Sequence, residues 1–340
     1  MAGEIIRSEI NEIPAVFDRL LANSKIFEEA KTLIGGKKIS SVLVLARGTS
    51  DNAAFFLKYL IETQIGIPVG LTSPSSVTIY KSQLHFENVL VVAISQSGQS
   101  PDLVAYANAA KSAGATLISM TNAVNSPLAK LADLHIDLLA GPEFAVAATK
   151  SYAAELLSSY LLVMAWIGRL HSATNISEIA KRVLALNIGD AVEACDIRNE
   201  IVILGRGFSY PNAKEAALKI QETNKISVQG LSTADYLHGP ISALTQSTQV
   251  FFMTPDRMPK ESMQEAVRKI RESDPKIFWF GLGGMPESGE IQVGGSSAPD
   301  EIIGSIADAI LFQRFVLELC VKNGFDPDSP AGLSKVTLTY

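Results

Sequence analysis

Cysteine is almost missing from this chain: 340 residues contain two, Cys195 and Cys320, far apart and without the close spacing of a metal site. That argues against a disulfide-stapled secreted scaffold and fits a reducing cytoplasm. Long apolar runs are missing too. The longest, Leu161 to Ile167 between Glu155 and Arg169, falls far short of the roughly 20 residues that a membrane helix needs. The N-terminus carries Glu4, Glu9 and Glu12 instead of a basic start and an apolar core, so no signal peptide is legible. Basic clusters do not occur, and 29 basic against 35 acidic residues leave a net charge of -6, a poor balance for nucleic acid. No G-x-x-x-x-G-K-[ST] motif is present, so ATP is not indicated.

What is there describes a compact α/β protein. Apolar residues make up 47% and charged residues 19% of a chain long enough for two domains of about 150 residues each. Asn88 to Asp102, NVLVVAISQSGQSPD, is its most informative stretch. Val89–Ile94 reads as a fully buried parallel strand. Ser95, Gln96, Ser97, Gly98, Gln99 and Ser100 then place three hydroxyls and a turn-permitting glycine before a helix that Pro101 is suited to begin. Backbone N–H groups at a helix start, joined by short hydroxyls, form a socket for a phosphate dianion. The plain alternative is an N-cap loop without a ligand.

Around this stretch, one or two helices are expected over residues 4–34, with Pro14 at a first turn or kink. Strands at Ser41–Ala46, Val69–Thr72, Val89–Ile94 and Thr116–Met120 alternate with helices over 51–62, 102–113 and 150–170, the order of a parallel sheet covered on both faces. After a connector at 171–175 and a helix over 176–187, the pattern restarts. Val42-Leu-Val-Leu-Ala-Arg-Gly-Thr-Ser50 is echoed by Ile201-Val-Ile-Leu-Gly-Arg-Gly-Phe-Ser209, each followed by Asn-Ala, which reads as an internal duplication. Strands at 201–204, 250–253 and 277–280, helices over 212–223 and 260–272, and a final helix over 305–323 complete the second half. Gly281–Pro299 reads as a surface loop with one short strand at 290–293.

The candidate chemistry falls in both halves. The Gly48-Thr49-Ser50 turn offers hydroxyls at the same expected sheet edge as Ser95, Ser97 and Ser100. Anion binding by hydroxyls and amides, with neither a metal nor a P-loop lysine, points to a phosphomonoester on a metabolite. Lys219 and Glu222 lie three apart on one helix face, the spacing also of an ordinary solvated pair. His238 sits beside Gly239-Pro240, where a structural turn is the competing reading, and Lys335 lies in a polar tail.

The series SQSG, GPEFAVAATKS, LGRGFSYPNAKEAALKIQE, LHGP and GLSKVTL resembles the tandem sugar-isomerase (SIS) domains that form the isomerase half of glucosamine-6-phosphate synthases, over nearly the whole chain. The resemblance implies two SIS domains, at 35–172 and 173–325, each a three-layer sandwich of flavodoxin-like type. They follow an N-terminal helical segment, 1–34, and precede a tail, 326–340, that folds over the active site. It implies a sugar phosphate held by Thr49, Ser50, Ser95, Gln96, Ser97 and Ser100, with Ala148 and Ser334 against the sugar. It implies Glu222 as the base between C2 and C1, His238 as the ring-opening residue donated across a homodimer interface, Lys335 on the open-chain sugar, and Lys219 beside the same centre. No metal or other cofactor is implied.

Two departures from the synthase pattern, Arg47 in place of a common cysteine and Ala147-Ala148 before Thr149-Lys150, resemble the stand-alone deaminase-like branch. Ala2 follows Met1, where the synthases carry the cysteine of a glutamine-hydrolysing domain. The expected reaction is therefore conversion of glucosamine 6-phosphate to fructose 6-phosphate and ammonia by a cytoplasmic homodimer. Galactosamine-6-phosphate deamination, fructosamine-6-phosphate deglycation and simple isomerisation are alternatives on the same scaffold. A non-catalytic phosphosugar sensor is the alternative of another class, although residues 1–34 are too few and too acidic for a DNA-binding domain.

Overall fold

Val89–Ile94 is a strand buried along all six residues, at the centre of a five-stranded parallel sheet. The computed structural model describes residues 2–170, 175–330, 332, 333 and 335. Ser334, expected against the sugar, lies outside them. The chain forms two units: Ala15–Glu143 with Lys150–Thr174 and Ser334–Tyr340, here the first unit, and Met1–Pro14 with Phe144–Thr149 and Asn175–Leu333, the second.

Three helices, not one or two, open the chain: α1 (Glu4–Asn11), α2 (Ile13–Ala22) and α3 (Lys25–Gly35). Pro14 has no N–H to continue the α1 ladder, and Asn23-Ser24 interrupts between α2 and α3, because such side chains favour caps and turns over helix interiors. The first unit then runs β1 (Ser41–Leu45), α4 (Thr49–Gln64), β2 (Val69–Leu71), α5 (Ser75–Thr78), β3 (Val89–Ile94), α6 (Pro101–Ser112), β4 (Thr116–Thr121), α7 (Pro127–Leu131), β5 (Leu134–Asp137) and α8 (Lys150–Trp166). Sheet order is β2-β1-β3-β4-β5, with every pair parallel. Val91 and Ala93 of β3 pack with Leu103, Tyr106 and Leu117, and Phe86 meets Tyr106 edge to face at 5.9 Å. α8 is buried from Lys150 to Ala165 and ends sooner than expected, ahead of Gly168 at φ +75°.

The second unit adds α9 (Ile176–Leu184), α10 (Gly189–Ala194), β6 (Ile201–Gly205), α11 (Tyr210–Asn224), β7 (Gln229–Ser232), α12 (Thr233–Leu237), β8 (Gln249–Met253), α13 (Glu261–Arg271), β9 (Lys276–Phe280), β10 (Ile291–Gly294) and α14 (Glu301–Lys322). Its parallel sheet, β10-β9-β8-β6-β7, repeats the first plan. One face packs Phe252 and Trp279 on α13 through Met263, Val267 and Ile270; on the other, Phe251 and Phe280 lie 5.6 and 5.0 Å from Phe315 of α14. α14 starts four residues earlier than expected because the Asp300 carboxylate caps it, accepting the Ile303 N–H at 2.8 Å. The 281–299 segment is not simply a surface loop: Gly281, Gly283, Gly284, Ser296 and Ala298 are buried. Both cysteines are buried as well, and burial pushes their thiols up, to about 12 for Cys195 and about 11 for Cys320, so they pack rather than react.

Candidate functional site

In a parallel sheet of order 2-1-3-4-5 the chain changes direction between β1 and β3, and ligands collect beyond the carboxyl ends of those two strands. Both hydroxyl-bearing turns of the first unit start there. β1 runs into Arg47-Gly48-Thr49-Ser50, where Gly48 takes φ +58° and Thr49 begins α4. β3 runs into Ser95–Ser100. Ser95 Oγ accepts the Gly98 N–H at 3.1 Å and Ser97 Oγ accepts the Gln99 N–H at 3.3 Å, so these hydroxyls shape the turn while keeping an O–H to donate. Gly98, at φ +60°, is required: a Cβ there would lie 2.3 Å from Ser126 Oγ. Ser100 occupies the N-cap of α6 without making a side-chain capping bond, so capping does not account for its hydroxyl. Ser95 is buried, while Gln96, Ser97, Ser100 and Thr49 are half-buried.

Charged groups flank these turns. Arg47 donates through Nε to the buried Asp102 carboxylate at 2.9 Å, which fixes a half-exposed guanidinium beside the β1 turn. Ser50 donates to Glu155 Oε1 at 2.7 Å inside the unit. At the start of α8, the Glu143 carboxylate accepts the Ser151 N–H at 3.0 Å, the Ser151 hydroxyl at 2.7 Å and the Lys335 ammonium at 2.9 Å. The tail lysine is thus tied to the core of this unit.

In the second unit, α11 follows β6 through Arg206-Gly207-Phe208-Ser209 and carries Glu215, Lys219 and Glu222 one turn apart. Lys219 is 3% exposed; it pairs with Glu222 and lies 3.5 Å from the fully buried Glu215. Glu222 retains 22% exposure. A solvated surface pair would leave its lysine in water, so that reading does not hold. His238, just after α12, is exposed on its turn, and Ala148 is half-buried on the 144–149 segment. Beyond β8 the turn is Thr254-Pro255-Asp256, and both the Thr254 N–H and hydroxyl are used on Phe280 O, at 2.6 and 3.1 Å. Deep in α14, burial pushes the Asp308 carboxyl up to about 7.

Four carboxylates at these sites escaped the sequence reading: Asp102, Glu143, Glu155 and Glu215. For Glu155 a signal existed, a single acid within the apolar α8; Glu215 stands four before Lys219 and could have been read with it. Among the described residues no three His, Cys, Asp or Glu side chains group to hold a metal, and no helix is long and apolar enough to cross a membrane.

Residues 37–165 and 197–282 match the SIS domain family. The isomerizing glutamine–fructose-6-phosphate aminotransferase of Pyrococcus horikoshii is 29% identical over 341 residues, covering 96% of this chain and 56% of that protein. The chain spans about half the length of the curated relatives it matches. Among solved structures, a protein of Silicibacter pomeroyi DSS-3 provisionally assigned as a phosphosugar isomerase superposes with a TM-score of 0.89 at 29% identity, covering 96% of this chain and all of that one. Glucosamine-6-phosphate deaminase of Thermotoga maritima superposes with a TM-score of 0.74 at 23% identity, covering 97% and 99%, a likeness of fold. With two sheets of one plan, both strand-end turns of the first unit in place and two matched segments, the chain belongs to the SIS domain family and is homologous to the isomerase domain of the glutamine–fructose-6-phosphate aminotransferases.

Proposed function

We propose that this protein is an aminosugar-phosphate deaminase that converts glucosamine 6-phosphate and water to fructose 6-phosphate and ammonia. The observation that carries the reading is the α11 triplet, in which a buried Lys219 holds Glu222 while the carboxylate keeps partial exposure. An aldose–ketose shift needs one base that reaches two adjacent carbons and cations that keep it ionised. Glu222 takes the proton from C2 of the open-chain sugar and returns it to C1; the enolamine becomes a ketimine, and water hydrolyses it. Ser95, Gln96, Ser97, Ser100 and Thr49 hold the phosphate, and Lys335 engages the open-chain oxygen, with Ala148 beside the sugar; Ser50, expected with them, spends its hydroxyl on the buried Glu155 instead. The exposed His238 assists ring opening from the partner copy of a homodimer.

The chemistry of the substrate favours the deaminating direction. Glucosamine 6-phosphate brings its own nitrogen, so its deamination needs only water as the second reactant. Arg47 and Ala147-Ala148 are the departures that favour the deaminase branch over the synthases. Purified protein is expected to release ammonia and fructose 6-phosphate in equal amounts from glucosamine 6-phosphate; release of ammonia from galactosamine 6-phosphate alone, or of an amino acid from a glycated substrate, would reassign the substrate. Mixing inactive Glu222→Gln and His238→Ala chains tests the shared site, since mixed dimers should regain part of the activity.

A further inference from the structure

We propose that Glu143 is a positioning residue that fixes the Lys335 ammonium for the sugar-phosphate reaction, an inference that rests on the function proposed above. The Glu143 side chain is fully buried, and both of its oxygens are held by one residue of α8. Oε1 accepts the backbone N–H of Ser151, the second residue of that helix, and Oε2 accepts its hydroxyl. Two bonds to a 17-residue helix leave the carboxylate little freedom, and the positive end of the helix dipole favours its charge. A buried carboxylate also calls for a cation. Lys335 supplies it, 2.9 Å away and 192 residues further along the chain.

The lysine is the partner that needs holding. It sits three residues after Gly332, which takes φ +89°, on a long flexible stem. Glu143 converts that stem into a fixed charge at the first turn of α8, and the Glu143–Lys335 pair keeps about a quarter of the lysine side chain accessible. Catalytic groups that are displaced by about 1 Å lose on the order of 10²-fold in rate, so the aim of the ammonium is where the effect of Glu143 is felt.

The test compares wild type, Glu143→Gln, Ser151→Ala, Lys335→Met and the Glu143→Gln/Lys335→Met double variant by steady-state kinetics on glucosamine 6-phosphate. In parallel, the rate of Lys335 modification by an amine-reactive reagent is followed by mass spectrometry. Glu143→Gln is expected to lower kcat on the order of 10²-fold with KM within about threefold, and to cost less than about twofold further once Lys335 is Met. Lys335 modification should quicken severalfold in Glu143→Gln. Ser151→Ala, which keeps the charge and loosens its seat, should show a smaller change of the same kind and covers the case of Glu143→Gln failing to fold. Losses that multiply in the double variant, unchanged Lys335 modification, or quicker modification with unchanged kcat would each overturn the proposal. Should the wild type turn over no hexosamine phosphate, the functional reading falls, while quickened modification would still uphold the restraint of Lys335 by Glu143.

Discussion

After β1, Arg47-Gly48-Thr49-Ser50 sends the Ser50 hydroxyl 2.7 Å to a buried carboxylate on α8; after β6, Arg206-Gly207-Phe208-Ser209 folds the Ser209 hydroxyl back onto Arg206, at 2.9 Å to both its N–H and its carbonyl. The next pair of turns diverges further. Ser95–Ser100 beyond β3 keeps hydroxyl donors, whereas Thr254 beyond β8 is used on the backbone of β9. The helices differ in the opposite sense, because α4 pairs Lys58 with Glu62 at the half-exposed edge while α11 buries Lys219 between two carboxylates. One duplicated plan thus gives a hydroxyl-lined strand edge in the first unit and a helix with a buried lysine between carboxylates in the second, which the proposed function uses for the phosphate and for the proton respectively. The difference lies in side chains at matched positions, not in topology.

The strongest way to break this comparison is Glu222→Gln. General-base loss is expected to lower kcat about 10²- to 10⁴-fold with little change in KM, measured by fructose 6-phosphate formation. Equal turnover would remove the acid–base role from α11. Next is Asp308→Asn in the second unit. Burial raises the folded-state pKa of Asp308 from 3.8 to about 7, so the folded protein holds a proton that the unfolded chain loses above pH 4. Stability from this group is full below pH 4 and is lost as the pH rises to about 7, by up to about 4 kcal/mol at about 1.4 kcal/mol per unit. The neutral Asn variant should therefore gain most over wild type near pH 8 and least near pH 4, read by denaturant melts; a gain independent of pH would contradict the assignment.

Smaller effects sharpen the contrast between turns. Ser97→Ala with Ser100→Ala should raise KM for the sugar phosphate on the order of 100-fold or more, at about 1.5 kcal/mol or more for each of two hydrogen bonds to a charged group. Thr254→Val at the matched turn should leave KM unchanged. Smallest is the repeated serine. Ser50→Ala strips a donor from a buried carboxylate and should cost about 1–3 kcal/mol of stability, while Ser209→Ala loses a local turn bond worth about 1 kcal/mol. Equal costs would mean that the two turns have not diverged energetically.

Much of this architecture is legible in the residues alone. β3, β4, β6 and β8 are apolar enough to be buried on both faces, which is why their ends stand out in the sequence. β5 and β7 were missed for the complementary reason: as the edge strands Leu134-His-Ile-Asp137 and Gln229-Gly-Leu-Ser232, they need no continuous apolar run. The hydroxyl turns and the Lys219–Glu222 spacing could be read because local spacing decides them. Glu143 could not: its motif was visible, yet the lysine that meets it is 192 residues away, and only folding brings the two together.

The most direct measurement of the central claim is deuterium incorporation during turnover of glucosamine 6-phosphate in D2O, followed by NMR of the product. A carboxylate that carries hydrogen from C2 to C1 should deliver it to a single face of C1 of fructose 6-phosphate with the wild type, as the substrate's own hydrogen or, after exchange at Glu222, as deuterium, and should deliver none with Glu222→Gln. Delivery by Glu222→Gln at the wild-type rate, or wild-type product with the hydrogen gained at C1 spread over both of its faces, would contradict it.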